Sequence, residues 1–190
     1  MEPAIVFRAP TSRVYAVATW VVAAVVLGAF VANGGPNEVL AYGALPVLLA
    51  VLGWTAFWRP HVRVERAGVR VVNVLSTTWA PWAAVTGTRT RWGLELLTHS
   101  GTVGAWGLPA RSAIGRWVRT TRDEPVVTSL RRLDSDVAGG GEPGTAAELI
   151  EEHRTGHLQA GSTGVDRRLD MLPAGLLLVV TGLAMVTLLL

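Results

Sequence analysis

Val14 to Ala32 reads VYAVATWVVAAVVLGAFVA, 19 residues without a charge. A helix rises about 1.5 Å per residue, so roughly 20 apolar residues cross about 30 Å of hydrocarbon. Two further stretches have the same character: Val39 to Trp58, 20 uncharged residues, and Leu172 to Leu190, 19. One such run is compatible with a buried core helix. Three of them in 190 residues predict three transmembrane helices.

The spans carry packing signals. Ala24, Gly28 and Ala32 form a small-xxx-small row that would let a second helix approach closely, and Gly43 and Gly53 are candidates for the same role in the second span. Pro46 is expected to kink that second helix. Trp20, Trp54 and Trp58 suit interfacial or packing positions, Trp58 beside Arg59 fitting an aromatic belt best. No ionisable residue falls inside any span, whereas pumps and proton-coupled transporters usually place one there.

Composition agrees with a membrane protein. Half of the chain is hydrophobic and 16% is charged, against about 25% charged in soluble domains. Cysteine is absent, which excludes disulfides, thiolate metal sites and a cysteine nucleophile. All 17 basic residues are arginine, and with the Ala, Val and Gly richness this points to a high-GC bacterial genome. A net charge of +3 does not indicate nucleic-acid binding.

Arginine placement sets the expected topology. Arg8 and Arg13 precede the first span, Arg59, Arg63, Arg66 and Arg70 follow the second, and Arg167 and Arg168 precede the third. The loop Asn33–Glu38 has no basic residue. The positive-inside rule then predicts a multi-pass plasma-membrane protein with residues 1–13 and 59–171 cytoplasmic and the Gly34–Asn37 turn outside. A cleaved signal peptide is the alternative for the first span, but its apolar run exceeds the usual 7–15 residues and lacks a clean A-x-A site.

Residues 59–122 read as β structure followed by a helix. His61-Val62-Arg63-Val64-Glu65 alternates with period two, Gly68 breaks the pattern, and Val69–Val74 resumes it, which predicts a hairpin. Ala83–Arg91, Leu94–Thr98 and Thr102–Leu108 are further predicted strands, set off by Pro81-Trp82, Gly93 and His99-Ser100-Gly101. Short strands at this spacing predict a bent antiparallel sheet or small barrel. Pro109–Val118 reads as a helix with Ile114, Trp117 and Val118 on one face, suited to capping the sheet. Residues 123–171 read as a flexible linker, rich in glycine near Gly139-Gly140-Gly141, with a short acidic helix at Ala146–His153.

These motifs resemble a known family. Glu65-Arg66-Ala67-Gly68-Val69-Arg70-Val71 is similar to the opening hairpin of the bacterial pleckstrin-homology-like (PH) domains of actinobacterial membrane proteins. Pro81-Trp82-Ala83-Ala84-Val85 looks like that family's Trp-x-x-Ile segment. Leu96–Thr102 is similar to its Ser-Gly hairpin, and Leu108-Pro109-Ala110 to its link into the helix. A membrane hairpin directly before the domain belongs to the resemblance, which covers about residues 13–118. The expected fold is therefore an α+β membrane protein: three transmembrane helices (14–32, 39–58, 172–190) and a cytoplasmic PH-like sheet or barrel (59–122) capped by a C-terminal helix. Ala83 and Ala84 stand where the family often has Asp, so no polar role is expected of that segment.

Several constellations invite a functional reading. Arg111, Arg116, Arg119 and Arg122, with Arg131 and Arg132, form the most basic cytoplasmic stretch. Near a bilayer they would contact anionic lipid headgroups, at about 1 kcal/mol per residue; the plainer reading is a solvated face paired with Asp123 and Glu124. Arg63 and Arg70 flank a tight turn into which Glu65 intrudes, which disfavours specific phosphoinositide binding. His153 and His157 stand at metal-ligand spacing, but Gly156 interrupts the helix and no third ligand is near in sequence. Trp79, Trp82, Trp92, Trp106 and Trp117 read as core anchors, or else as a peptide groove. Ser76-Thr77-Thr78 and Thr98-His99-Ser100 lie outside any nucleophile elbow, phosphate loop or His-Glu-x-x-His motif. No cofactor, metal or catalytic site is therefore expected.

The sequence predicts a membrane-anchored interaction module that binds a membrane or cytoplasmic protein, or the inner-leaflet surface, without catalysis. The alternative is an accessory subunit of a membrane transport or cell-envelope complex. A membrane-bound enzyme would need a titratable cluster that the sequence does not offer.

Overall fold

A computed structural model describes residues 4–109, 138–139, 143–156 and 163–189. The chain divides into two units, residues 1–10 with 60–168 and residues 11–59 with 169–190.

The second unit is helical. Helix α1 spans Pro10–Tyr42, and among its residues only Ser12, Ala16 and Ala23 are buried. A helix that is apolar all round and still exposes Val14, Val21, Val25 and Val31 suits a lipid surround. Among the described residues α1 alone is long and apolar enough to cross a membrane, and it stands near the N-terminus. The other two predicted spans form shorter apolar helices, Ala44–Trp58 and Met171–Thr187.

The predicted 33–38 loop is absent as such. Helical structure continues through it, broken at Gly35, whose φ of 65° is open to glycine and costly for other residues. The following Pro36 lacks the N–H that an uninterrupted helix would use, so glycine and proline together make a kink. Helix α2 (Ala44–Gly53) begins only after Gly43. Pro46 does not kink it, because it lies in the first turn, where the N–H groups have no intrahelical acceptor. A π turn, Trp54–Trp58, ends the element, with Arg59 N–H donating to Trp54 O at 2.9 Å.

Aromatic contacts hold α1 to α2. Trp20 Nε1 donates to Ala50 O at 3.1 Å, Trp20 and Trp58 rings lie 5.2 Å apart, Tyr15 and Phe57 5.7 Å, and Gly53 faces Thr19. Helix α4 (Met171–Leu189) packs on α2, with Val180 and Ala184 buried, and Arg59 forms an ion pair with Asp170. The predicted Ala24–Gly28–Ala32 row is exposed and meets nothing at Gly28; the buried alanines are Ala16 and Ala23, on another face.

The first unit is the β domain. Its strands are β1 (Ile5–Phe7), β2 (His61–Glu65), β3 (Gly68–Val72), β4 (Ser76–Pro81), β5 (Val85–Arg89), β6 (Gly93–Thr98), β7 (Gly101–Pro109), β8 (Ala138–Gly139) and β9 (Asp166–Leu169). They form two sheets, ordered β8-β1-β2-β3-β4-β9 and β5-β6-β7. The sequential neighbours pair antiparallel, and β1 pairs antiparallel with β2; β8 adds parallel to β1. The molecule is thus α+β, with one long apolar N-terminal helix and antiparallel sheets.

Strand alternation builds the core. Val62 and Val64, Val69 and Val71, Leu94 and Leu96, with Phe7, Trp82, Val85, Ala105 and Leu108, form one buried cluster. The two sheets meet where β7 passes β2. A Cβ on Gly107 would lie 2.7 Å from the Pro60 carbonyl carbon, so only glycine fits there. Ala9 N–H donates to Gly107 O at 3.1 Å at the same corner.

Helix α3 (Pro143–Gly156) places Ala146 and Ile150, both fully buried, in this cluster, and packs against β5 and β6. The acidic helix read inside the linker is thus a core element. The predicted capping helix Pro109–Val118 lies outside the described residues beyond Pro109, which ends β7.

Candidate interaction surface

The larger sheet has a buried face and an outward face. Period two turns Val62, Val64, Val69 and Val71 inward and His61, Arg63, Glu65 and Arg70 outward. The two-residue turn Arg66–Ala67 pairs Glu65 with Gly68 and therefore Arg63 with Arg70; on β4, Trp79 lies opposite Arg70. Val6 of β1 pairs with Arg63, so Val6, Arg63, Arg70 and Trp79 form one row across four strands.

Arg70 is held in place within that row. Its guanidinium sits 5.1 Å from the Trp79 ring centroid, and its Nε donates to Glu65 Oε1 at 3.2 Å. Arg63 is exposed and has no hydrogen bond or ion pair among the described residues. Like charges directly opposite on a sheet are destabilising, on a scale of about 0.2–1 kcal/mol per cross-strand pair. Next to this row, Arg8 Nη2 lies 3.3 Å from His61 Nδ1. A guanidinium only donates, so Nδ1 accepts and that nitrogen carries no proton. Glu65 thus shares this side of the sheet with Arg63 and Arg70. The arrangement offers guanidinium groups to an anion.

The residues singled out in the sequence are distributed differently. Arg111, Arg116, Arg119, Arg122, Arg131 and Arg132 all lie outside the described residues, as do His157 and Trp117. His153 stacks on Trp82, ring centroids 5.9 Å apart, and its Nδ1 donates to Leu149 O at 2.9 Å. Among the described residues no three His, Cys, Asp or Glu side chains group as metal ligands. Ser76 and Thr78 are buried on the inner face of β4, and Thr98 Oγ1 donates to Gly101 O at 2.7 Å within the β6–β7 turn.

The tryptophans divide. Trp82 is 5% exposed, with Nε1 donating to Arg66 O at 2.9 Å. Trp79 is half-buried beneath Arg70. Trp92 and Trp106 are not core anchors: they are 75% and 60% exposed. Trp92 stands in the β5–β6 turn, with the Arg91 guanidinium 5.4 Å from its ring, and Trp106 points outward from β7 between inward Ala105 and buried Gly107.

Two other ion pairs are local. Glu151, hydrogen-bonded to Arg154, and Asp166, hydrogen-bonded to Arg168, hold those guanidinium groups above the ordinary arginine value. Both arginines are charged at any physiological pH, so neither pair acts as a switch.

Comparison of this chain with protein-family models, curated proteins and solved structures finds no match.

Proposed function

We propose that the chain is a membrane-anchored, non-catalytic interaction module whose β domain presents the Arg63–Arg70 row to an acidic segment of a neighbouring membrane or cytoplasmic protein. The single observation that carries this reading is Arg63. It is an exposed cation placed directly against a second cation, without an ion pair among the described residues. A pair of this kind, fixed on a rigid sheet and flanked by a cation–π contact, gains most when a partner brings carboxylates.

Anchoring supports the same reading. The chain passes between the β domain and apolar helices at three places, residues 10/11, 59/60 and 168/169. The junctions are one or two residues long: Arg8-Ala9 before α1, Arg59-Pro60 before β2, and Asp170 before α4. A tether of this length raises the effective concentration of the module at the bilayer.

In its finer form the proposal takes α1 as one membrane span and the apolar helices Ala44–Trp58 and α4 as two more, in a multi-pass plasma-membrane protein. Exposed Leu172, Leu178, Val179 and Met185 on α4 support a lipid surround for it. The arginine bias at the helix ends supports a cytoplasmic β domain. The domain itself is proposed to be PH-like, a reading supported by six successive strands, β2–β7, divided between two sheets that share one buried cluster with a helix.

Affinity capture of the intact protein from its native membrane tests the function. Arg63→Glu with Arg70→Glu is expected to lose an acidic partner that the unchanged chain retains; the same partners on both chains, or none on either, refutes the proposal. A topology reporter inserted at Asn37 is expected to read outside the cytoplasm.

A further inference from the structure

The β domain has two ends, and two of its exposed apolar side chains, Leu75 and Trp106, lie at one of them. The register identifies the ends. Phe7 pairs with Val62, His61 with Val72, and Val72 with Thr77, so the end of β1, the start of β2 and the β3–β4 turn lie together. This is the end at which the chain leaves β1 for α1 and returns from the π turn into β2. Asn73, in the β3–β4 turn, reaches β7: its Nδ2 donates to Gly104 O at 2.8 Å, and its Oδ1 accepts from Trp106 N–H at 2.8 Å. Gly107 abuts Pro60. Leu75, 40% exposed, and Trp106, 60% exposed, are therefore presented from adjoining segments beside the two junctions.

The other end differs. It holds the Arg66–Ala67 turn, and Trp82 is bonded there to Arg66 O while His99 N–H donates to Ala84 O. Its turns carry His99 and Ser100, exposed and polar.

We infer that Leu75 and Trp106 contact the interfacial layer of the bilayer that receives α1, so that the junction end of the β domain binds phospholipid directly. The inference rests on α1 being a membrane span. Two physical facts select lipid over a protein as the occupant. First, a chain segment of two residues reaches at most about 7 Å, so β1 and β2 cannot leave the neighbourhood of the helix ends. Second, the two side chains are of the kind the interface takes: tryptophan, whose ring is apolar with one polar N–H, beside an aliphatic residue. The Asn73 clamp bonds to the backbone of Gly104 and Trp106 and so holds the segment of β7 from which Trp106 points outward.

The absence of cysteine makes the test direct. Leu75→Cys, Trp106→Cys, Ser100→Cys and Val25→Cys each give the full-length protein one labelling site. All four positions are exposed, and neither Asn73 hydrogen bond depends on the replaced side chains. Each variant is labelled with a nitrobenzoxadiazole fluorophore and reconstituted into phosphatidylcholine–phosphatidylglycerol vesicles. Probes at residues 75 and 106 are expected to emit blue-shifted light and to lose most of it to a nitroxide lipid that quenches at headgroup depth. The probe at residue 100 is expected to emit as in water and to resist quenching. The probe in α1 at residue 25 is expected to be quenched by a nitroxide deep in the acyl chains. If residue 75 or 106 behaves like residue 100 while residue 25 is quenched, the inference fails and the span stands. If residue 25 is not quenched, both fail.

Discussion

Trp82 and Trp106 occupy opposite ends of one small domain and have opposite surroundings. Trp82 is closed in: strands β5 and β6 and helix α3 surround it, its indole N–H is bonded to Arg66 O, and His153 stacks on its ring. Trp106 is held through its backbone by Asn73 and is 60% exposed. The difference teaches where each end's side chains act. The α3-covered end uses apolar area to hold the fold, while the junction end fixes backbone geometry and leaves Leu75 and Trp106 outside the core.

Substitutions can break or sharpen that contrast, read as changes in the free energy of opening from hydrogen exchange of the β5 and β6 amides in the intact chain. Trp82→Ala should be the most damaging, at about 3–5 kcal/mol, since it empties a core site of that volume and removes the indole hydrogen bond to Arg66 O. Ile150→Ala should cost about 2–5 kcal/mol. A loss under about 1 kcal/mol there would show that α3 is not part of the core. At the other end, Gly107→Ala should cost about 1–3 kcal/mol, because its methyl meets the Pro60 backbone, which cannot move aside cheaply. Asn73→Ala removes two exposed hydrogen bonds and should cost about 1 kcal/mol. Trp106→Ala should change stability by no more than about 0.5 kcal/mol; a core-sized loss would erase the distinction between the ends.

Several elements were legible in the sequence because their signal is local. The hairpin β2–β3 follows from alternation on both sides of Arg66-Ala67, and a two-residue turn already sets Arg63 opposite Arg70. Strands β6 and β7 follow from Leu94–Thr98, the Ser100-Gly101 turn and Thr102–Leu108. Strand β4 was not legible, since its inward residues are Ser76, Thr78 and Ala80, small or polar, and alternation of hydrophobicity cannot reveal them. Strand β1 has three residues and pairs with a strand more than fifty positions away, so nothing nearby announces it. The helix at 143–156 reads as acidic and solvated because only Ala146 and Ile150, with Pro143, are buried on it.

The sequence by itself determined the apolar helices, the arginine bias at their ends, the absence of cysteine chemistry and the antiparallel hairpins. Each follows from composition or from periodicity within a dozen residues. Only the tertiary structure decided which tryptophans are core and which are surface, that α3 belongs to the β domain, and that the β3–β4 turn and the Gly104–Gly107 segment of β7 lie beside the two junctions. These depend on pairing between residues distant in the chain, and a residue's own neighbours in sequence carry no record of what packs on it from afar.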